Sequence, residues 1–207
     1  SGNNAGLVQE FGSPPRIVGN WIGTNAAGSA AVPNNIGVRI VAPGTILGGH
    51  EAGEGNTISG NRDYGVVIGA PAGITLQGNR IGTNPAGTAA IPNRTGVITN
   101  DLGFTGLSNN AAIGGTDGVT LGGACTGACN LISGNAENGL ELPGTGHVVS
   151  GNFIGTDITG NAELGNGGPG PVLPEEGFGI YLAGSNNRVG GTAPAERNVI
   201  GENKNAG

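Results

Sequence analysis

Several residue types are scarce or missing in this sequence of 207 residues. Aromatic residues make up 3% of the chain and charged residues 11%, and methionine does not occur. No run approaches the roughly 18 apolar positions that a membrane-spanning helix needs, so we expect no insertion into a membrane. The missing initiator methionine leads us to expect a mature product or a piece of a longer protein.

Basic residues are also few. The eight Lys and Arg residues are scattered along the chain, and 14 acidic residues give a net charge of −6. Nucleic acids and anionic membrane surfaces attract clustered positive charge, which this sequence does not offer. We therefore expect no nucleic-acid partner.

Cysteine is limited to Cys125 and Cys129. Two thiols at this spacing, with His50 and His147 both far away in sequence, match a zinc site poorly. A local disulfide is the favoured interpretation, with a free thiol pair or a metal site as the alternatives. So small a ring would stabilise the fold by only about 2 kcal/mol, which suits a stapled loop. A disulfide would indicate an oxidising, extracellular setting.

Glycine, in contrast, is abundant, and its 46 residues recur at fixed offsets. One phrase, Gly-Asn-x-Ile-Gly-Thr-Asn/Asp, occupies residues 19–25, 78–84 and 151–157. A fixed internal period predicts a solenoid, in which each unit buries its apolar face against its neighbours. We expect one solenoid domain over residues 1–207. Its repeat units are 1–58, 59–132 and 133–200, and residues 201–207 begin a fourth.

Each unit contains six short runs rich in Val, Ile, Leu and Thr and bounded by Gly, Asn and Pro, which is typical of strands. Six strands in a basic unit of about 59 residues make two coils of three strands. The sequence therefore predicts an all-β fold, a right-handed three-sided parallel β-helix (β-solenoid) of about six coils with no substantial helix. In the second unit the predicted strands are 66–68, 74–77, 80–83, 97–99, 119–121 and 130–133.

The corners between strands explain the abundance of glycine and asparagine. Glycine adopts positive φ without steric cost, and asparagine can bond its own backbone and the asparagine of the next coil. Glycine pairs at 48–49, 122–123 and 190–191 are predicted to end the second strand of alternate coils. Extra residues in the second and third units should leave the rod as loops, near 100–115 and 167–176. Such loops serve recognition or are neutral insertions.

The repeated phrase, with Asn-x-Ile-Ser-Gly-Asn between its copies, resembles the repeats of large bacterial secreted or cell-surface proteins of the right-handed parallel β-helix class, the pectate-lyase-like superfamily. The resemblance covers essentially the whole chain. It implies the fold but not one function, because the class holds polysaccharide lyases and hydrolases, phage tailspikes, adhesins and stalks.

A polysaccharide-degrading enzyme would need paired carboxylates on one face. Asp157 occupies the position held by Asn25 and Asn84, so we interpret it as a turn residue. Asp63 and Glu137 are predicted at matching corners about 10 Å apart, where solvated corner charges are the simpler interpretation. We therefore predict no catalytic residue. We also predict no cofactor, since no spacing of oxygen ligands supports calcium.

Trp21, Arg80 and Phe153 share the position after the Gly-Asn corner. They alternate with inward isoleucines and should therefore point outward. Such a column would suit stacking on sugar rings, or it could serve as surface cover over a long neighbouring loop.

These patterns together favour a non-enzymatic extracellular module that serves as a rigid spacer, a fibre element or a surface-attachment (adhesin) segment. The alternative is a polysaccharide-binding or polysaccharide-degrading β-helix. The uncapped repeat pattern leads us to expect flanking repeats of the same protein or head-to-tail self-association as partners. A polysaccharide or a surface protein could bind in addition.

Overall fold

The computed structural model describes residues 2–10, 12, 15–69, 73–100, 107–117, 123–168 and 176–205. These residues form 18 short strands and one turn of 3-10 helix, Pro194–Glu196. The first three coils contain β1 (Ala5–Gln9), β2 (Arg16–Ile17), β3 (Trp21–Ile22), β4 (Ile36–Ile40), β5 (Ile46–Gly48), β6 (Thr57–Ile58), β7 (Tyr64–Ile68), β8 (Thr75–Gln77) and β9 (Arg80–Ile81). The next three contain β10 (Thr95–Ile98), β11 (Ala112–Gly114), β12 (Leu131–Ile132), β13 (Leu140–Pro143), β14 (Val148–Ser150), β15 (Phe153–Ile154), β16 (Ile180–Ala183), β17 (Arg188–Val189) and β18 (Val199–Ile200).

Every third strand belongs to the same sheet, so the described residues build three parallel sheets of six strands each. The first sheet runs from β1 to β16, the second from β2 to β17 and the third from β3 to β18. This arrangement confirms the predicted three-sided parallel β-helix of six coils. In the described part of the chain, no helix has the length and hydropathy of a membrane span.

The core is a stack of aliphatic columns, because in-register parallel strands place equivalent residues directly above one another. The third sheet shows this most simply, since one isoleucine from each of its strands points inward. The four central isoleucines are completely buried, and full burial of each such side chain contributes about 1.5–3 kcal/mol. The column consists of Ile22, Ile58, Ile81, Ile132, Ile154 and Ile200.

Two ladders of asparagine side chains run the length of the rod, as the corner pattern predicted. The first stands where the second sheet turns into the third, and each side-chain Nδ2 donates to the Oδ1 of the next coil at 2.9–3.1 Å. Each Oδ1 also accepts the backbone N–H of the asparagine in the preceding coil at 3.0–3.3 Å. The members are Asn20, Asn56, Asn79, Asn130, Asn152 and Asn198.

The second ladder stands where the third sheet turns into the first. Its Nδ2 to Oδ1 distances are 2.8–3.5 Å. Burial of these amides is possible because their hydrogen-bonding groups find partners in the neighbouring coils. The members are Asn3, Asn34, Asn61, Asn93, Asn135, Asn166 and Asn203.

Glycine is required where a ladder amide crosses close to the backbone. Gly23 follows β3 with φ of +89°, and a Cβ there would collide with the Ser59 carbonyl and the Asn61 side chain. Gly82 and Gly155 have the same conformation one and two repeats later. The second glycine of the repeated phrase is therefore required by both its backbone conformation and the lack of space for a Cβ.

One predicted strand was wrong. The second-sheet strand of the fourth coil is β11, which pairs with β8 through Ala112 to Thr75 and Ile113 to Leu76. The sequence offers two stretches that end in a glycine pair, 112–115 and 119–123, and the prediction chose the second. Residues 118–122, which contain the predicted strand and Gly122, lie outside the described residues.

The choice of β11 also corrects the predicted insertion. From Gly96 to Gly114 is 18 positions, compared with 11 from Gly37 to Gly48, so only about seven extra residues precede the strand. The other eight follow it, before Asn130. The second unit thus has two insertions on opposite sides of β11, instead of one near 100–115. Of the third unit's predicted loop, 167–176, residues 169–175 lie outside the described part.

His147 is a buried ionisable group, with no accessible surface. The Ala111 backbone N–H donates to its Nδ1 at 3.2 Å, so the neutral ring carries its proton on Nε2, which faces the Pro143 carbonyl at 3.2 Å. Burial lowers the pKa of His147 below its ordinary value, although the bond to Pro143 acts in the opposite direction. The fold therefore holds this imidazole neutral.

We expect Asn79→Ala to lower the free energy of unfolding by about 3 to 5 kcal/mol, because buried partners on both sides lose their hydrogen bonds. Asn79 donates to the Leu47 carbonyl and to Asn130 and accepts from Asn56. The matched control is Asn20→Ala, at an exposed member of the same ladder, which should cost less than about 1 kcal/mol. Denaturant titration measures the free energy of unfolding of both variants. Equal losses in Asn79→Ala and Asn20→Ala would contradict the view that the buried part of the ladder stabilises the fold.

His147 should make the protein less stable in mild acid. Its folded pKa is lowered, so the unfolded state takes up a proton first, and stability falls as the pH drops below about 6.5. The slope is at most about 1.4 kcal/mol per pH unit for one proton. Unfolding curves at pH 7.5 and 5.5 should show the loss in the wild type and in His50→Gln, but a smaller loss in His147→Gln. Equal losses in all three proteins would exclude His147 as the cause.

Candidate functional site

Trp21, Arg80 and Phe153 occupy one column on the outer side of the third sheet, as expected from their shared position. Thr57 and Leu131 fill the same column in the coils between them. The three side chains differ in exposure: Trp21 is 49% exposed, Arg80 is half-buried and Phe153 is 2% exposed. The structure therefore aligns them but leaves only Trp21 as an exposed aromatic surface.

The two aromatic rings pack against the loops that follow them. Gly28 lies against the ring of Trp21, and Gly160 lies against the ring of Phe153, so close that a Cβ at either glycine would collide with its surroundings. Phe153 is further covered by Leu131 and by the loop that carries Cys125 and Cys129. Both aromatic side chains of the column therefore contact the loops that follow them.

Cys125 and Cys129 form a disulfide, as predicted. Both are buried, and the Cys125 backbone N–H donates to the Ile158 carbonyl at 2.8 Å. This hydrogen bond ties the disulfide loop of the fourth coil to the loop that follows β15. This disulfide loop, residues 123–129, forms one wall of a cleft of about 360 Å³ that Arg80 also lines.

The opposite wall of this Arg80 cleft is the loop of residues 49–55. His50 lies on this loop, with Glu51 3.8 Å and Asp117 3.7 Å from its ring nitrogens. Burial lowers the pKa of the Arg80 guanidinium below its ordinary value. Its Nε atom is buried without a hydrogen-bond partner.

A second cleft lies over the first sheet and brings together one arginine and three glutamates. Its volume is about 310 Å³. We call it the glutamate cleft. It is lined by Tyr64, Arg94, Thr95, Glu137, Asn138, Glu141, Glu176 and Tyr181.

Arg94 organises the acids of the glutamate cleft. Its Nε donates to Glu137 Oε1 at 2.6 Å, and its Nη2 lies 3.9 Å from Glu176 Oε1. The three residues come from the corners of three successive coils, which stacking places side by side. The hydrogen bond with Glu137 and the charge of Glu137 raise the pKa of Arg94.

Glu141 differs from its neighbours because it is half-buried on β13. Burial raises its pKa, a hydrogen bond with Asn138 lowers it, and the charge of Glu137 raises it again, so that the net pKa lies above the usual value. Burial also raises the pKa of Tyr64 on β7, and the Glu141 charge adds to this rise. One carboxyl group of the cleft therefore holds its proton to higher pH, whereas Glu137 is paired with a guanidinium.

Aromatic surface completes this cleft. Tyr181 on β16 is 40% exposed and stacks on Phe178, with ring centroids 5.8 Å apart and an interplanar angle of 21°. Exposed tyrosines beside carboxylates and a guanidinium are the groups that bind the apolar faces and the hydroxyls of sugars.

The three acidic residues that the sequence analysis considered, Asp157, Glu137 and Asp63, do not lie together in one site. Asp157 caps the turn after β15, where its Oδ1 accepts the backbone N–H groups of Thr159, Asn161 and Ala162 at 3.1–3.2 Å, as predicted. Burial alone would raise the pKa of Asp157, but these bonds bring it below the ordinary value. Glu137 lines the glutamate cleft, but Asp63 is not among the residues that line it.

Sequence reasoning found Glu137 but missed Arg94, Glu141 and Glu176 as its neighbours. Glu176 lies at the end of the third unit's insertion, where the repeat gives no register. Glu141 could have been found, because it pairs in register with Tyr181 and with Ile98 on the first sheet. In the described ranges, no group of three or more Cys, His, Asp or Glu is arranged to hold a metal ion.

No protein-family model, curated protein or solved structure matches this chain. Its class, a parallel β-helix, follows from the sheet topology.

The pKa of Glu141 should respond in opposite directions to changes in its two charged neighbours. Glu137→Gln removes a negative charge and should lower the pKa of Glu141, whereas Arg94→Gln removes a positive charge and should raise it. Carboxyl carbon shifts in an NMR titration report the pKa directly. Arg62→Gln is the matched control at an exposed arginine, and shifts of the same sign in both cleft variants would contradict the described geometry.

Proposed function

We propose that the chain is a non-enzymatic structural β-solenoid module of an extracellular protein, serving as a rigid spacer, a fibre element or a surface-attachment (adhesin) segment. The observation that carries the proposal is the continuity of both asparagine ladders and of the aliphatic columns through all six coils. Each coil is bonded to the next along its corners as well as its strands, which favours stiffness and resistance to proteases.

The extracellular setting is supported by the Cys125–Cys129 disulfide, since such bonds persist in oxidising compartments. The repeat phrase is similar to that of bacterial secreted and cell-surface β-helix proteins, and this similarity supports the same setting. Strands β1 and β16 form the two edges of the first sheet. Further coils of the same protein, or a second copy stacked head to tail, are the partners whose backbone would pair with such edges.

The second candidate function is binding or cleavage of a polysaccharide at the glutamate cleft. One observation favours it: Glu141 has a raised pKa beside Glu137, whose carboxylate is paired with Arg94. A carboxyl group with a raised pKa beside a second carboxylate is the kind of arrangement that acid–base cleavage of a glycosidic bond needs. The same groups, with Tyr181, would also serve binding without cleavage.

A polysaccharide panel separates the two candidates. The purified protein is incubated with each polysaccharide and scored in the same wells for retained protein and for newly released reducing ends. We expect the wild-type protein to release no more reducing ends than Glu141→Gln does, whether or not the protein is retained on the polysaccharide. Release that survives repurification, and that Glu141→Gln abolishes but the matched control Glu163→Gln does not, would overturn the non-enzymatic proposal.

Retention without release refines the proposal. Retention lost in Arg94→Gln would assign binding to the glutamate cleft, and retention lost in Trp21→Ala would assign it to the outer column of the third sheet. Each result would make the module a carbohydrate-binding one.

A further inference from the structure

The guanidinium of Arg80 is half-buried and has no ion-pair partner among the described residues. Its Nε is buried without a partner, and no described residue gives its terminal Nη groups a hydrogen bond or an ion pair. Three other arginines each bind a glutamate at 2.6–2.8 Å, namely Arg16, Arg94 and Arg188. Leaving a half-buried cation unpaired is costly, so this arrangement needs an explanation.

The fold itself does not require a charge at this position. The equivalent residues one repeat away on either side are Trp21 and Phe153, which pack as apolar cover. An apolar residue at position 80 would cover the outer side of the third sheet equally well. The fold therefore does not depend on a charged side chain at position 80.

Nor do the nearby acids neutralise Arg80. Glu54, on the loop of residues 49–55, is bound to Arg16 at 2.7 Å. Glu51 and Asp117 are both more than 70% exposed and flank His50. Among the described residues, the cleft thus offers one guanidinium without an ion-pair partner, beneath a rim that carries negative charge.

The surroundings of Arg80 also restrict what could bind it. Ile158 and the disulfide loop give the cleft an apolar side, and its volume of about 360 Å³ is that of a small-molecule site. A single guanidinium matches one planar carboxylate in a two-point bond. The acidic rim disfavours a doubly charged phosphate or sulfate, and the lining favours an anion with an apolar body.

We propose that the Arg80 cleft binds a monocarboxylate that carries an apolar group, with the carboxylate on the terminal Nη groups of Arg80 and the apolar group against Ile158 and the disulfide loop. The ligand is a free organic acid or the C-terminal carboxylate of a peptide. This proposal is independent of the glutamate cleft and of the proposed structural function.

The test is a calorimetric titration at low salt with N-acetyl-leucine, and with its uncharged amide as the matched ligand. We expect the acid to bind at least tenfold more tightly than the amide, because a charge-assisted bond is worth about 1.5–3 kcal/mol. Arg80→Met should lose this preference, whereas Arg62→Gln should keep it. A hexapeptide ending in leucine identifies the source: tighter binding than N-acetyl-leucine indicates a peptide terminus, and weaker binding indicates a free acid.

Arg80→Met keeps the aliphatic stem and removes only the buried charge, so its melting temperature should equal or exceed that of the wild type. This result makes a loss of binding attributable to the missing charge. Equal affinity for acid and amide, undiminished acid binding by Arg80→Met, or preferential binding of inorganic sulfate would each overturn the proposal. A lower melting temperature for Arg80→Met would also count against it, because the guanidinium would then have a structural partner.

Discussion

The hydrogen bonds between asparagine side chains of successive coils are the interaction on which the rest of this structure depends. A side-chain amide donates on one side and accepts on the other, and parallel strands repeat every ~4.8 Å, so one asparagine per coil forms an unbroken ladder. Two ladders fix two of the three corners. Once the corners are in register, the strands between them pair. Their inward aliphatic side chains then stack, and no further interaction is needed to align them.

Fixed corners leave the outer surface free to vary, and both clefts arise there. The glutamate cleft collects Arg94, Glu137 and Glu176 from equivalent corners of successive coils, where the ladder has already set the spacing. The Arg80 cleft forms between two loops that leave the rod from different coils, and a disulfide shapes one of them. Rigid coils thus bring together groups that are far apart in sequence, such as Arg94 and Glu137, which are 43 positions apart.

Periodic features could be predicted from the sequence, and features that break the period could not. The sheet topology, the ladders and the turn at Asp157 follow from residues that recur at fixed offsets. The β11 strand was misplaced because two stretches end in a glycine pair and only pairing with Thr75 and Leu76 decides between them. Phe153 was predicted to point outward from the third sheet. The loop of Cys125 and Cys129 packs over its side chain, and no local sequence pattern reveals the position of that loop.

The two clefts show how position, more than residue type, determines what an arginine does. Arg94 stands at a corner where the next two coils each supply a glutamate, so its charge is satisfied within the protein. Arg80 stands within a strand. The residues stacked on either side of it are Thr57 and Leu131, and neither carries a negative charge that could pair with the guanidinium. Stacking of the coils therefore gives Arg94 an ion-pair partner at the corner but gives Arg80 uncharged neighbours on the strand. An isolated charge beside apolar side chains interacts strongly with whatever anion reaches it, because little water remains to screen it.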